Sequence, residues 1–293
     1  MHIQTLTIDD QDAPLSVWLA QEDSGLTPIH FAHANGFPAG SYQRLLSELA
    51  QNRTVYALDH RATWDGSPYQ ASKHFSWKDG ADDLIKAIEQ FAPQGVIGVG
   101  HSLGAVITLL AADKRPDLFK QILLIEPVVF PARFFLAFAW LPQVARMKLF
   151  KIVQRTLQRR EQWRSREEFV DTLSKKSLFK GISREVLNDY AQHGLREVTT
   201  DSHPYFTLRF RKTWEAKVFM TAPYLWSTLK RLSIPCVVWR AEQGDVVPLK
   251  SWQRWEKSHP HHSMHVLPSL GHMAPLQNPQ LMAREIQNNF LSI

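Results

Sequence analysis

One ten-residue stretch constrains the fold of this chain more than any other. Residues 96–105 read VIGVGHSLGA, and an almost wholly apolar run continues them to about Asp113. A short apolar segment, a glycine-rich turn and a second apolar segment predict a buried strand that passes sharply into a helix. Ser102 lies at the turn, with glycines two positions before and two positions after it, where larger side chains would make strand and helix collide. The pattern predicts a strained serine whose hydroxyl projects from the sheet.

Predicted strands and helices alternate on both sides of a long interruption. Besides a hairpin over 3–20 and the strand before Ser102, strands are predicted near residues 28–33, 54–59, 121–126, 234–240 and 264–267. Besides the helix after Ser102, helices are predicted near residues 41–50, with Ser41 as the cap, and near 77–91, 249–257 and 279–290. This alternation predicts an α/β fold whose mostly parallel sheet carries helices on both faces. From about residue 130 to 232 we find helical periodicity and no convincing strand, which predicts a helical insertion.

The interruption also differs from the rest of the chain in charge. Residues 131–231 contain 20 Lys and Arg against 9 Asp and Glu, whereas the whole chain has a net charge of only +6. Such asymmetry suggests a module with its own substrate or partner preference. We therefore expect a core made of residues 1–129 and 232–293, interrupted by a separate unit over 130–231.

The cysteine content and the hydropathy of the chain indicate the cellular compartment in which we expect the protein. Cys236 is the single cysteine, so no disulfide can form within the chain, which suits a reducing compartment. The first residues lack the basic and apolar regions of a signal peptide. The longest apolar run, 134–141, falls far short of the roughly 18 residues that a spanning helix needs. These features predict a soluble cytoplasmic protein, and nothing in the sequence indicates its oligomeric state.

A serine that acts as a nucleophile needs a base and an acid that orients the base. In an open parallel sheet these groups come from loops at the carboxyl ends of strands. His272 follows the last predicted strand and is the candidate base. Asp245 follows the preceding strand, and the order Ser102, Asp245, His272 is the one expected for this architecture. Glu126, at the carboxyl end of another strand, is the alternative acid, and Glu242 is a weaker one.

An oxyanion formed at Ser102 needs two backbone N–H donors. The first is expected from Leu103, the residue after the nucleophile. The second is expected from the loop after the strand at 28–33, where Gly36 lets the chain turn closely. We predict that Phe37 supplies it, with the N–H of Asn35 as the alternative.

These residues together resemble the serine-hydrolase, esterase- and lipase-like branch of the α/β-hydrolase fold family. The resemblance covers residues 3–129 and 232–293 and rests on GHSLG at 100–104, HANGFP at 33–38, DHR at 59–61 ahead of Gly66 and Ser67, and GHM at 271–273 with Pro275. It implies an α/β-hydrolase fold with an eight-stranded, mostly parallel sheet and an α-helical lid after the sixth strand. It also implies a Ser-His-Asp triad and no cofactor.

We expect a serine ester hydrolase that acts on a small-molecule carboxylic ester with a substantial apolar portion. His272 would take the Ser102 proton during attack, and water would hydrolyse the resulting acyl-enzyme. Three other enzyme classes would use the same triad: thioesterases, lactonases and carbon–carbon bond hydrolases. A catalytically silent member that binds a small ligand is the alternative from another class.

Other sequence features that resemble binding sites are better explained by packing or by solvent exposure. Five aromatic residues could line an acyl pocket, although packing of the lid is the commoner role: Phe130, Phe134, Phe135, Phe138 and Trp140. The basic helix predicted over 145–160 is a candidate for weak contact with anionic lipid, although a solvated face is commoner. Basic residues without a recognisable module do not predict a nucleic-acid partner. No carboxylate or cysteine lies within the cluster of histidines at 259, 261, 262 and 265, so we expect no metal site there.

Overall fold

A computed structural model of the chain describes residues 1–20, 25–64, 76–131, 150–199 and 203–291. Its strands are β1 (His2–Ile8), β2 (Gln11–Trp18), β3 (Ile29–Ala32), β4 (Val55–Leu58), β5 (Val96–His101), β6 (Phe119–Ile125), β7 (Gln162–Trp163), β8 (Leu195–Val198), β9 (Tyr205–Leu208), β10 (Cys236–Ala241) and β11 (Ser263–Leu267). Its helices are α1 (Gln43–Leu49), α2 (Trp77–Phe91), α3 (Leu103–Lys114), α4 (Lys151–Leu157), α5 (Arg166–Ser174), α6 (Arg184–Gly194), α7 (Lys212–Met220), α8 (Trp226–Arg231), α9 (Leu249–Ser258), α10 (Ala274–Gln277) and α11 (Pro279–Asn289).

Eight strands form one mostly parallel sheet in the order β1-β2-β4-β3-β5-β6-β10-β11. The hairpin of β1 and β2 is antiparallel, and β2 also pairs antiparallel with β4. Every other pairing in this sheet is parallel. The predicted fold class is therefore confirmed, and the carboxyl ends of β3, β5, β6, β10 and β11 meet at one edge of the sheet.

Alternate residues of the central strands enter two different hydrophobic cores. On β6, Leu123 and Ile125 pack with residues of α1 and α11, whereas Ile122 and Leu124 pack with residues of α2, α3 and α9. Successive side chains of a strand point to opposite faces, so each face of the sheet is covered by its own helices. This two-faced burial fixes where each strand ends and therefore where the loops at its end lie.

Two local predictions need correction. Ser41 does not cap a helix, because residues Ala39–Tyr42 form a 3₁₀ turn and α1 begins only at Gln43. The chain between β6 and β10 contains helices α4 to α8, but the expectation that it contains no strand is wrong. Strands β7, β9 and β8 form a small antiparallel sheet there. Each has only two to four residues, too few to show an alternating pattern in the sequence.

Several predictions fall outside the described residues. They concern the aromatic residues Phe134, Phe135, Phe138 and Trp140, positions 145–149 of the basic helix, and Gly66 with Ser67. Within the described part, α4 covers residues Lys151–Leu157 of that helix. No helix in the described ranges is both long and apolar enough to span a bilayer.

Candidate active site

The turn between β5 and α3 holds Ser102 in a strained conformation. Its φ is 56° and its ψ is −113°, a region that non-glycine residues rarely adopt. A Cβ atom on Gly100 would lie 2.5 Å from the Gly104 carbonyl oxygen, and one on Gly104 would lie 2.0 Å from the Ala32 carbonyl oxygen. Both positions therefore require glycine, which is the steric reason for the pattern around Ser102.

The hydroxyl of Ser102 lies against the imidazole of His272. The distance from Ser102 Oγ to His272 Nε2 is 3.1 Å. On its other side, His272 Nδ1 is 3.0 Å from Oε2 of Glu126, which can only accept when it is ionised. In neutral His272 the proton therefore belongs on Nδ1, and Nε2 is left to accept the serine proton.

Glu126 is fully buried at the end of β6 and is held by the neighbouring strand. Its backbone N–H donates to the Trp239 carbonyl at 2.8 Å, and its Oε1 accepts the Ala241 N–H at 2.6 Å. Its Oε2 is the atom that contacts His272. Both carboxylate oxygens thus have a donor, so the side chain is fixed in the orientation that directs it at the imidazole.

The structure does not bring Asp245 to His272, contrary to the primary prediction for the acid. Asp245 is exposed in the loop after β10, and its side chain makes no hydrogen bond or ion pair to the described residues. The loop bends back through a hydrogen bond from the Gly244 N–H to the Ala241 carbonyl. The position beside the imidazole is occupied by Glu126, the alternative acid. Glu242 is also exposed, and its carboxylate accepts the Ser269 N–H at 2.8 Å.

The loop after β3 forms a β-turn over residues 34–37. The Phe37 N–H donates to the Ala34 carbonyl at 3.1 Å, and Gly36 at the third position has a φ of 83°. Because φ is positive at Gly36 but not at Asn35, the turn is of type II. The N–H of Phe37, our predicted oxyanion donor, is therefore used within the turn.

The N–H of Asn35, the predicted alternative donor, is not used within this turn. The Ala34 carbonyl of the same peptide accepts from Phe37 and lies 2.9 Å from Nδ1 of His33. Since the C=O and N–H of a trans peptide point in opposite directions, the Asn35 N–H points away from both groups. Among the described residues nothing accepts it, and the Leu103 N–H, in the first turn of α3, has no acceptor within its helix.

Two buried side chains connect this turn to the His272 loop. The Ala34 N–H donates to the Tyr42 hydroxyl at 3.3 Å, and that hydroxyl lies 2.9 Å from His101 Nδ1. His101 Nε2 lies 2.8 Å from the His272 carbonyl, which can only accept, so Nε2 carries the proton and Nδ1 accepts from Tyr42. Burial lowers the pKa of His101 to about 3, which keeps it neutral. His33 and His101 thus serve as hydrogen-bonding residues beside the site.

Comparison with known proteins adds to this geometry. Residues 31–285 match the alpha/beta hydrolase family. The chain belongs to that family. Over 186 residues it is 28% identical to a type I acyl-CoA thioesterase of Penicillium brevicompactum, covering 59% of this chain and 40% of the relative. Over 105 residues it is 30% identical to the karrikin insensitive 2 receptor CA of Petunia hybrida, covering 35% of this chain and 39% of the receptor. The chain thus spans about two fifths of the length of these relatives.

Among solved structures, E-2-(acetamidomethylene)succinate hydrolase superimposes with a TM-score of 0.80. The match covers 100% of this chain and 99% of that one at 18% sequence identity. At this identity the likeness concerns the fold alone.

Proposed function

We propose that this protein is a serine hydrolase that cleaves a carboxylic ester with an apolar portion through an acyl-enzyme intermediate. The observation that carries the proposal is the continuous contact from Ser102 Oγ to His272 Nε2 and from His272 Nδ1 to Glu126. The strained turn at Ser102 supports it, as do the N–H groups of Leu103 and Asn35, which have no acceptor among the described residues. Each component that acyl transfer requires is then assigned to a described residue.

In the proposed first step, His272 Nε2 accepts the Ser102 proton while Oγ attacks the ester carbonyl. The N–H groups of Leu103 and Asn35 bind the oxyanion, and the Glu126 carboxylate stabilises the imidazolium. His272 then returns the proton to the leaving alcohol, and the acyl-enzyme forms. A water molecule deprotonated by His272 releases the acid and restores Ser102.

We further propose that residues 130–231 act as the lid over a core of residues 1–129 and 232–293. The insertion leaves the core between β6 and β10, at the edge of the sheet where Ser102 and Glu126 lie. Binding sites of this kind are mostly apolar with a few polar groups. The insertion would therefore determine which acyl and alcohol groups are accepted.

A turnover assay tests the proposal. p-Nitrophenyl esters of increasing acyl length should be hydrolysed by the wild type, with kcat/KM rising from acetate to longer chains. Ser102→Ala should lose activity by about 10⁶-fold, since removing a serine nucleophile removes the covalent route. Activity unchanged in Ser102→Ala would reject the proposed role of this serine.

A thioesterase is the second candidate, favoured by the likeness to an acyl-CoA thioesterase and by the basic insertion. Coenzyme A is anionic, and residues 131–231 have 20 basic against 9 acidic residues. The same acyl group should be compared on coenzyme A and on uncharged N-acetylcysteamine. A salt-sensitive preference for the coenzyme A thioester would favour this candidate, because salt screens attraction between exposed charges. Equal rates on both thioesters, below those on the ester, would favour the ester hydrolase.

A further inference from the structure

The insertion contacts the turn at residues 34–37 through Tyr190 of α6. The buried Tyr190 hydroxyl donates to the Gly36 carbonyl at 3.0 Å. The Tyr190 ring also stacks on the Phe37 ring, with centroids 4.7 Å apart and an interplanar angle of 26°. Tyr190 thus holds both the Gly36 carbonyl and the Phe37 ring, in the C-terminal half of the turn.

A second contact comes from Glu215 of α7. Its backbone carbonyl accepts a hydrogen bond from Asn35 Nδ2 at 3.2 Å. Its carboxylate lies so close to Gly36 that a Cβ there would be 3.0 Å from Oε2. Arg159 pairs with this carboxylate through both terminal nitrogens, at 3.2 Å and 2.5 Å, which fixes the Glu215 side chain against the turn.

The core and the insertion hold opposite halves of the same turn. His33 and Tyr42 of the core contact Ala34, whereas the insertion contacts Asn35, Gly36 and Phe37. The strength of a hydrogen bond falls steeply as its angle departs from linearity. A small rotation of this turn would therefore weaken an oxyanion contact made by the Asn35 N–H.

We infer that Tyr190 and Glu215 are positioning residues of the oxyanion site, so that the insertion aims the Asn35 N–H as well as covering the substrate. The inference rests on the proposed function. It predicts that loosening these contacts lowers kcat without a matching change in KM, because the oxyanion exists only after the substrate has bound.

Tyr190→Phe is the first test, because it removes the hydroxyl and keeps the stacked ring. We expect kcat for a p-nitrophenyl ester to fall about 5- to 20-fold, which corresponds to the loss of one buried hydrogen bond. KM should stay nearly constant. The pH profile of kcat/KM should also be unchanged, since the pair of His272 and Glu126 is untouched.

Asp189→Asn is the matched control on the same helix. Asp189 joins α6 to α1, where its carboxylate accepts from Arg44 Nε at 2.6 Å, and it does not contact the turn. The variant weakens docking of the insertion onto the core without altering the contacts of Gly36. We expect its kcat to remain close to that of the wild type.

Asn35→Ala tests the same contacts from the side of the turn. It removes the amide that donates to Glu215 and retains the backbone N–H. We expect a several-fold loss in kcat. A trifluoromethyl ketone that forms a tetrahedral adduct with Ser102 should bind both Tyr190→Phe and Asn35→Ala more weakly, in proportion to their losses in kcat.

Equal kcat in Tyr190→Phe and Asp189→Asn, or unchanged affinity for the ketone, would overturn the inference while the wild type remains active. If Tyr190→Phe fails to fold, Asn35→Ala decides by the same two measurements. A wild type that neither turns over esters nor reacts at Ser102 would overturn the proposed function, and with it this inference.

Discussion

The Glu126 carboxylate lies 3.0 Å from Nδ1 of His272, at the buried end of the contacts that begin at Ser102. Glu126 follows β6, the strand directly beside β5, and the Ser102 N–H donates to the carbonyl of the preceding Ile125 at 2.9 Å. The register of two adjacent strands therefore fixes the separation of nucleophile and acid. The side chain of Asp245 takes no part in this geometry.

Glu126→Gln should lower kcat by about 10³- to 10⁴-fold, because an amide cannot stabilise the imidazolium and favours the wrong tautomer of His272. Asp245→Asn is the matched control, and its kcat should stay close to the wild-type value. Steady-state kinetics on one ester checks both variants. The reverse ranking would assign the acid to Asp245.

Gly244→Ala should lower kcat by crowding the Glu126 carboxylate. A Cβ there would lie 2.7 Å from Oε2 of Glu126, so the carboxylate or the loop must shift, and we expect this to disturb the contact with His272. A misplacement of this kind can cost about 10²-fold in kcat. Gly271→Ala is the control beside His272, since its Cβ would meet nothing closer than the Gln277 amide at 3.4 Å. Equal kcat in the two variants would contradict the predicted role of Gly244.

Asn35→Pro removes one N–H and retains the turn. Proline is favoured at the second position of a type II turn, which Asn35 occupies. We expect a folded protein whose kcat is lower by about 10²- to 10³-fold, the effect of losing one oxyanion donor. Asn35→Ala keeps the N–H, so the difference between the two variants isolates the donor. Equal kcat in Asn35→Pro and Asn35→Ala would exclude the Asn35 N–H as an oxyanion donor and would favour the N–H of Phe37.

Stability should fall as the pH is lowered from about 6.5 to 5. Burial lowers the pKa of His30 and of His101 to about 3 and that of His33 to about 4, from ordinary values near 6.5. In this window the unfolded chain binds protons that the folded chain does not, so the stability is fully present above the unfolded pKa and is lost on acidification. Each histidine contributes a slope of up to about 1.4 kcal/mol per pH unit.

Urea unfolding at pH 7, 6 and 5 measures this slope. His30→Gln should reduce it, because the amide oxygen can accept the Leu58 N–H that His30 Nε2 now accepts, without binding a proton. Burial raises the pKa of Asp59 and of Glu215, which opposes this slope, so the difference in slope between the wild type and His30→Gln isolates the contribution of the histidine. A free energy of unfolding that is constant from pH 7 to 5 would contradict the prediction.

The features most predictable from the sequence were those set by local sterics. Gly100 and Gly104 revealed the turn because any side chain at either position would overlap the backbone. Helix α2 was predicted with its observed bounds from apolar residues at helical spacing, and the structure shows in addition that Ser76 caps it with Asp79. The strands of the large sheet were predicted to within a few residues.

The acid could not be decided from the sequence. Glu126 and Asp245 both follow parallel strands and therefore lie at the same edge of the sheet. The choice depends on the path of the loop after β10, where Gly244 packs against the Glu126 carboxylate and Asp245 turns outward. The sequence likewise could not show that the turn around Gly36 directs the Phe37 N–H, the predicted oxyanion donor, to the Ala34 carbonyl.

Reaction of Ser102 with a fluorophosphonate, located by mass spectrometry, tests the central claim most directly. The account predicts rapid modification of Ser102 in the wild type, none in Ser102→Ala, and a rate that falls sharply in Glu126→Gln but not in Asp245→Asn. Absence of modification in the wild type, or modification at another residue, would contradict the assignment of Ser102, His272 and Glu126 as a catalytic triad.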